Sequence, residues 1–272
     1  MNFINKSVEE LKEFAREYKT AYATADPFPN IYFDDFFNAD TLKEVLAEFP
    51  DMSKNPDLKY NDTNQIKLAS KGEYRFGEKT REFMHYLNSQ PFLEFLSELT
   101  GIENLIPDPY YDGGGMHQIQ PGGMLKIHAD FNKHPRTKLD RRLNVLIYLN
   151  EDWKEEYGGQ FELWDVDMKA CRKSILPLFN RMAMFSTTST SYHGNPNVVR
   201  CPEGRSRRSL ALYYYTNGRP VEEMAVSEAD HNTLFKYRKE DKKSKFVNTI
   251  KETVRLITPP ILLHGLGKSS KN

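Results

Sequence analysis

Apolar residues in the first hundred positions recur mostly with helical spacing. Residues 7–20 place them on one face, and Ser7 with Glu10 forms a capping box, so we predict a surface helix there. The run IYF is short and β-prone, which predicts a brief strand. Residues 51–77 are polar and rich in turn formers, which predicts a long surface loop. Three further helices are predicted, over residues 39–49, 78–89 and 91–101.

From about residue 110 the pattern changes to short apolar or alternating runs separated by Gly and Pro. Many short strands with turn signals between them are typical of an all-β sandwich or barrel. We therefore predict a mainly β protein with flanking helices (α+β), built on a double-stranded β-helix (jelly roll) core. The predicted strands are MHQIQ, MLKIHAD, LNVLIYLN, QFELWDV, SILPLF, MAMFSTT and SLALYYYT.

This pattern divides the chain into three regions of one domain. Residues 1–109 supply external helices, residues 110–216 the β core, and residues 217–272 a basic extension with a helix over 246–257. From His231 to Asn272 there are ten Lys or Arg against three Asp or Glu. We interpret this surplus as a solvated helix and tail, with a dock for an anionic partner as the alternative.

Composition narrows the function classes. Lys plus Arg and Asp plus Glu both total 38, so no global field favours a polyanion and no nucleic-acid partner is expected. Two cysteines are too few for a disulfide framework. The N-terminus lacks a signal-peptide core, and no apolar run is long enough for a membrane span, so a cytoplasmic location is expected.

The candidate chemistry starts at MLKIHADFN. Because strand side chains alternate between faces, His128 and Asp130 point the same way. A third ligand must come from another strand, and His193 in YHGNP is the candidate. Two histidines and one carboxylate on one side of a ferrous ion form a facial triad that leaves positions open for other ligands.

A candidate anion-binding arginine follows in the RRSLALYYYT strand. Arg208 begins an otherwise apolar segment, where an unpaired guanidinium is costly, and its planar fork suits a carboxylate. We expect that carboxylate to be the distal one of 2-oxoglutarate. A salt bridge to a structural acid is the alternative, Arg205 is a rival position, and Arg207 is expected to face the opposite side of the strand.

With these residues the chain resembles the prolyl 4-hydroxylase branch of the iron(II)- and 2-oxoglutarate-dependent oxygenases. The resemblance covers about residues 110–216 and rests on HAD, RRLNVLIYLNEDW, GGQFELW, FNRMAMFSTT, YHGNP and RRSLALYYYT in that order. PFPNIYFDDFF is also similar to relatives. One departure is a longer gap between His193 and Arg208, through CPEG, which leaves the choice between Arg208 and Arg205 open.

The resemblance implies Fe(II), with 2-oxoglutarate and O2 as cosubstrates and ascorbate as reductant. It implies Tyr148 and Arg208 on the distal carboxylate, Leu146 and Phe161 beside the cosubstrate, and Tyr214 deeper on the Arg208 strand. On the substrate side it places Arg141 near the mouth, and Gln118 or a neighbour replaces an aromatic residue of relatives.

The predicted reaction is hydroxylation of an unactivated C–H bond, with release of succinate and CO2. The resemblance implies a prolyl or other amino-acid residue in a protein or peptide as substrate, and Asp130 favours hydroxylation over halogenation. The alternative substrate is a free amino acid or another small metabolite. A hydrolytic or non-catalytic cupin-like metal-binding protein is the more distant alternative.

Overall fold

The computed structural model describes residues 3–220, 223 and 230–241. Four α-helices precede most of the strands: α1 Val8–Ala23, α2 Ala39–Ala47, α3 Glu78–Leu87 and α4 Gln90–Thr100. The strands are β1 Asn30–Phe33, β2 Leu58–Asn61, β3 Gln65–Ala69, β4 Ile106–Pro107, β5 Gly115–Ile119, β6 Met124–Ala129, β7 Asp140–Tyr148, β8 Phe161–Trp164, β9 Cys171–Ile175, β10 Met182–Ser186, β11 His193–Asn195, β12 Arg207–Thr216 and β13 Leu234–Phe235.

The four helices predicted in the first 101 residues and the short IYF strand are confirmed. At α1 the Ser7 side chain accepts from the Glu10 amide and the Glu10 carboxylate accepts from the Ser7 amide, so the capping box is complete. At the other end of the helical region, α4 stops at Gly101, whose φ of 72° suits a residue without a β-carbon.

Two strand expectations were wrong. The predicted loop over residues 51–77 contains the hairpin β2–β3, in which Tyr60 pairs with Lys67. Its strands are short and include Lys59, Asn61 and Lys67, so the sequence shows no clear alternation of apolar and polar residues. The segment predicted as SILPLF is also shifted: β9 ends at Ile175, before Pro177, because proline cannot donate to a ladder.

The strands form one antiparallel sheet that curls around a pocket. The path runs β1-β10-β7-β12-β5-β3-β6-β11-β8-β9, while β2 pairs with β3, β4 with β12 and β13 with β6. Strands from both halves of this path line the same pocket, which requires the sheet to curve onto itself. The antiparallel core with external helices is as predicted.

The outer face of the sheet packs against the helices. Leu143, Val145 and Ile147 of β7 and Leu210 and Leu212 of β12 are buried in one cluster with apolar residues of α1 to α4. Each such side chain contributes about 1.5–3 kcal/mol by leaving water. The alternate residues of the same strands face the pocket, so the helices fix which side of the sheet carries the site.

The segment after β12 returns to the sheet beside β6. In β13, Phe235 pairs with His128, and Lys236 N donates to Ile127 O at 2.8 Å. Lys126 and Asp241 form an ion pair that ties the end of this segment to β6. The helix predicted over 246–257 lies outside the described residues. Among the residues described, no helix combines the length and the apolar character needed to cross a membrane.

Candidate active site

Three side chains from two neighbouring strands converge in the pocket. His128 lies near the end of β6, Asp130 follows that strand directly, and His193 begins β11 and pairs with His128 across the ladder. Nε2 of His128 lies 3.5 Å from Oδ1 of Asp130, and Nε2 of His193 lies 3.3 Å from Oδ2. The candidate ligand atoms all lie within 4.8 Å of one another, which is compatible with a single metal ion.

Both imidazoles are oriented by the backbone. Nδ1 of His128 donates to the carbonyl of Lys126 at 2.8 Å, and Nδ1 of His193 donates to the carbonyl of Ser191 at 2.8 Å. A carbonyl can only accept, so each Nδ1 carries the proton and each Nε2 presents a lone pair to the site. Burial lowers the pKa of His128, which keeps its ring neutral and able to bind a metal.

Asp130 is held as a carboxylate by its neighbours. Its Oδ2 accepts from Asn144 Nδ2 at 2.7 Å and lies 3.0 Å from a terminal nitrogen of Arg141. Burial alone would raise the pKa of Asp130, but the charge of the neighbouring Arg141 guanidinium holds it well below its usual value. An anionic ligand therefore faces the two neutral imidazoles, as a facial triad requires.

Arg141 was expected near the substrate mouth, and the structure places it deeper. Its side chain is 1% exposed, its Nε donates to Asn144 Oδ1 at 2.9 Å, and its guanidinium lies against the rings of Phe131 and Tyr213. These contacts place Arg141 in the interior beside Asp130, which corrects the expectation that it lies near the substrate mouth.

The arginine that reaches the pocket is Arg207, whereas Arg208 lies on the other face of β12. Arg207 lines the pocket with His128, Asp130 and His193. The guanidinium of Arg208 lies 5.5 Å from the Phe49 ring, and its Nε donates to Ser206 Oγ at 3.3 Å. The expectation for Arg208 was therefore wrong by one residue, because alternation in β12 puts odd-numbered positions inside.

The rival position Arg205 also lies outside the pocket. Its guanidinium contacts the carbonyl of Glu151 and lies 5.7 Å from the Tyr157 ring. It precedes β12, so its side chain follows the surface loop. Of the three candidate arginines, Arg207 alone shares the pocket with the triad.

Arg207 is a buried cation without a carboxylate partner in the described part of the chain. The residue is 5% exposed, and its Nε donates to the carbonyl of Gly159 at 2.7 Å. Burial lowers the pKa of Arg207, with Tyr148 opposing that effect. A desolvated guanidinium costs several kcal/mol unless an anion pairs with it, so this end of the pocket is suited to an anionic ligand.

Gly159 makes room for that guanidinium. It adopts φ +70°, and a β-carbon at this position would lie 2.9 Å from Cδ of Arg207. A side chain here would strain the turn and displace Arg207. The Gly158–Gly159 turn before β8 thus shapes the anion end of the pocket.

Tyr148 stands beside Arg207. The guanidinium lies 5.0 Å from the Tyr148 ring centroid. The Tyr148 hydroxyl is buried and has no hydrogen-bond partner among the described residues. Burial raises the pKa of Tyr148, so the hydroxyl stays protonated and can donate to a ligand.

The remaining predicted residues lie partly on the face of the sheet that lines the pocket and partly on the opposite, outer face. Leu146 and Phe161 line the pocket as expected. Tyr214 packs among the helices, where its hydroxyl donates to Leu87 O at 2.8 Å, and Gln118 binds Met52 N at 2.8 Å and Ser206 Oγ at 3.0 Å. Both expectations were wrong for the same reason as Arg208, with which Gln118 is paired across the ladder.

Several pocket residues were not assigned to the site from the sequence. Asn144 sits two residues before Leu146 on β7, so alternation from Leu146 could have found it. Tyr213 and His117 could have been found only with the correct register of β12 and β5. Lys67 carried no signal, because it lies in the segment interpreted as a loop. All four line the pocket.

A larger cavity of about 900 Å³ lies elsewhere, lined by Tyr22, Arg142 and Arg219 among others. It contains none of the candidate ligands. The donor set, and not the size of the cavity, therefore identifies the site.

The residues present fit both a metal ion and a dicarboxylate. Two Nε2 lone pairs and one carboxylate converge at one end of the pocket. At the other end are a buried guanidinium lacking an acidic partner among the described residues and a buried unpartnered hydroxyl. The apolar walls between them, Leu146 and Phe161, exclude water.

Comparison with known proteins agrees with this arrangement. Residues 114–215 match the model of the 2OG-Fe(II) oxygenase superfamily. The chain is 30% identical over 195 residues to prolyl 3-hydroxylase OGFOD1 of Mus musculus, covering 70% of this chain and 33% of that protein. It is 25% identical over 229 residues to prolyl 3,4-dihydroxylase OGFOD1 of Ostreococcus tauri, covering 77% of this chain and 42% of that protein.

The fold has solved counterparts. A prolyl-4-hydroxylase from Pseudomonas putida superposes with a TM-score of 0.54 at 18% identity, covering 75% of this chain and 100% of that one. The predicted jelly-roll core is thereby confirmed. The chain spans about a third to two fifths of the length of the curated relatives it matches. The matched region assigns residues 114–215 to the 2OG-Fe(II) oxygenase superfamily, and the curated relatives that the chain resembles are prolyl hydroxylases.

Proposed function

We propose that the chain is an Fe(II)- and 2-oxoglutarate-dependent dioxygenase that hydroxylates a prolyl residue of a protein or peptide. The observation that carries the proposal is the pairing, in one pocket, of the His128–Asp130–His193 cluster with the unpaired cation Arg207. The curated relatives are named as prolyl hydroxylases, which supports the prolyl part.

In this proposal His128, Asp130 and His193 hold the iron, and bound iron supplies the activation of dioxygen that oxidises the C–H bond. Arg207 and Tyr148 bind the distal carboxylate of 2-oxoglutarate, a charge-assisted contact that fixes the cosubstrate along the pocket. Leu146 and Phe161 exclude water from the space between. Asn144 and Arg141 keep the Asp130 carboxylate ionised and oriented.

The reaction converts 2-oxoglutarate and dioxygen to succinate and CO2 while one oxygen atom enters the substrate. A free amino acid or other small metabolite as substrate is the second candidate. With either substrate, the pocket favours an oxygenase over a non-catalytic binding module. The reason is that Arg207 has no acidic partner among the described residues and is therefore suited to an anionic cosubstrate.

The test is succinate formation by purified protein supplied with Fe(II), 2-oxoglutarate and ascorbate, the proposed reductant. We expect succinate at a rate that rises when a prolyl substrate is added, and no succinate from Asp130→Ala. The exposed Asp62→Ala variant is the matched control and should retain full turnover. Equal rates for wild type and Asp130→Ala, or failure to bind iron, would refute the proposal.

A further inference from the structure

A lysine from the β2–β3 hairpin projects into the pocket. Lys67 lies in β3, which is paired with both β5 and β6, and it lines the pocket together with His128 and Asp130. The neighbouring Leu68 packs in the outer core and Ile66 is exposed. The position of Lys67 is therefore fixed by strand pairing on either side of it in the chain, with β6 before it and with β5 after it.

Lys67 is poorly neutralised by the protein. The charged groups that act on it are Asp130, Arg141 and Arg207, of which two are cations. Burial lowers the pKa of Lys67 to about 8, with Asp130 opposing the fall. Asp130 is also the candidate metal ligand and is paired with Arg141, so its charge is already shared.

The charges of a loaded site leave an excess of positive charge. Bound Fe(II) and the dianion of 2-oxoglutarate cancel each other. Asp130 offsets one of the three cations Arg141, Arg207 and Lys67, so two positive charges remain. His117 does not alter this, because burial lowers its pKa to about 3 and the ring is neutral. The pocket therefore favours one more anion.

Lys67 lies on the hairpin side of the triad, where Asp130 and Arg141 act on its ammonium more strongly than Arg207 does. Its Nζ lies 5.1 Å from the ring of Tyr60, on β2, which pairs with β3 and lies off the main strand path. Tyr60 also acts electrostatically on Tyr213, whose ring covers Arg141. Arg207 and Tyr148 already serve the anion at the other end. The hairpin thus brings to the triad an ammonium that has no acidic ion-pair partner among the described residues.

We propose that Lys67 binds a carboxylate of the substrate next to the hydroxylated residue, which makes the enzyme selective for acidic substrates. The inference rests on the proposed function and narrows its substrate class. The carboxylate has two possible sources, an acidic side chain beside the target residue or a free α-carboxylate. Either would form a charge-assisted hydrogen bond with the ammonium.

The test is equilibrium binding of fluorescent peptides to anaerobic protein loaded with Fe(II) and 2-oxoglutarate. The peptides contain a central proline flanked by Glu or by Gln, each with a free or an amidated C-terminus. We expect wild type to bind the best carboxylate peptide about tenfold more tightly than its neutral counterpart. The Glu–Gln pairs and the free–amidated pairs identify the source of the carboxylate.

Three variants sharpen the test. Lys67→Met should remove the preference and leave binding of the neutral peptide unchanged. Lys67→Arg should retain most of it, and Lys59→Met, an exposed lysine of the same hairpin, should retain all of it. A wild type that binds neither peptide, or binds charged and neutral peptides equally, overturns the inference, as does a preference that survives in Lys67→Met.

Calorimetry of 2-oxoglutarate binding tests whether Lys67 contacts the cosubstrate instead. We expect Lys67→Met to bind 2-oxoglutarate within about twofold of wild type, since Arg207 is intact. A loss matching that of Arg207→Met would place Lys67 on the cosubstrate and overturn the inference. Failure of wild type to bind iron or 2-oxoglutarate is a separate result, which refutes the proposed function itself.

Discussion

The two ends of the pocket differ in how far the protein itself orients the groups that would bind a ligand. At the metal end every candidate ligand has a second contact: Lys126 and Ser191 carbonyls hold the two imidazoles, and Asn144 with Arg141 holds Asp130. At the far end Arg207 has one hydrogen bond to a carbonyl, and the Tyr148 hydroxyl has none within the described chain.

The metal-binding side chains are held in position before a ligand binds, whereas the buried donors at the far end gain their partner only when a ligand binds. The metal end is oriented in advance, so binding an ion there requires little rearrangement. The far end holds buried donors whose desolvation is uncompensated by the described residues, so a dicarboxylate gains affinity by relieving that cost. Mutations at the two ends should therefore have different signatures.

The largest effect is expected for His193→Ala. Removing one of three ligands should weaken Mn(II) or Fe(II) binding at least about a hundredfold and reduce succinate formation below detection. The control is His85→Ala, an exposed histidine whose Nε2 lies 2.9 Å from a Glu73 carboxylate oxygen. Metal titration calorimetry checks both. Unchanged affinity in His193→Ala would remove it from the ligand set.

Arg207→Met should raise the KM for 2-oxoglutarate about a hundredfold and leave metal affinity unchanged. Losing the charged partner of a buried carboxylate costs about 3 kcal/mol. Arg208→Met is the matched control, because the adjacent residue lies outside the pocket, and should change KM less than about twofold. If the two variants exchanged these results, the register of β12 described above would be wrong.

Asn144→Ala should weaken metal binding about tenfold, since its side chain orients Asp130 and accepts from Arg141. The KM for 2-oxoglutarate should change less, so the ratio of the two effects assigns Asn144 to the metal end. Thermal unfolding of metal-free protein is the control measurement. A loss of stability with unaltered metal affinity would make the residue purely structural.

The smallest effect is expected for Tyr148→Phe. Its hydroxyl should contribute about fivefold to 2-oxoglutarate affinity, while its removal raises the unfolding free energy by up to about 1 kcal/mol because a buried unpaired group disappears. Tyr214→Phe is the control with the opposite pattern. It loses the bond to Leu87 O, so stability should fall by about 1 kcal/mol with no change in affinity. Denaturant unfolding and calorimetry measure both quantities.

The register of β12 explains which site residues could be predicted. His128 and Asp130 are two apart on one strand, so they share a face whatever that face is. Assigning Arg208, Tyr214 and Gln118 to the pocket required knowing which face of β5 and β12 turns inward. Residues 210–215 are apolar or aromatic on both faces because one side meets the helices and the other the pocket, so their pattern does not distinguish the two faces.

The sequence by itself determined the helices, the antiparallel core and the shared face of His128 and Asp130, because these depend on local periodicity. Only the tertiary structure decided that Arg207 and not Arg208 enters the pocket, and that Lys67 reaches it from a polar hairpin. Those outcomes depend on which face of the sheet the helices cover and on how distant strands pair, and neither is encoded in the alternation of one strand.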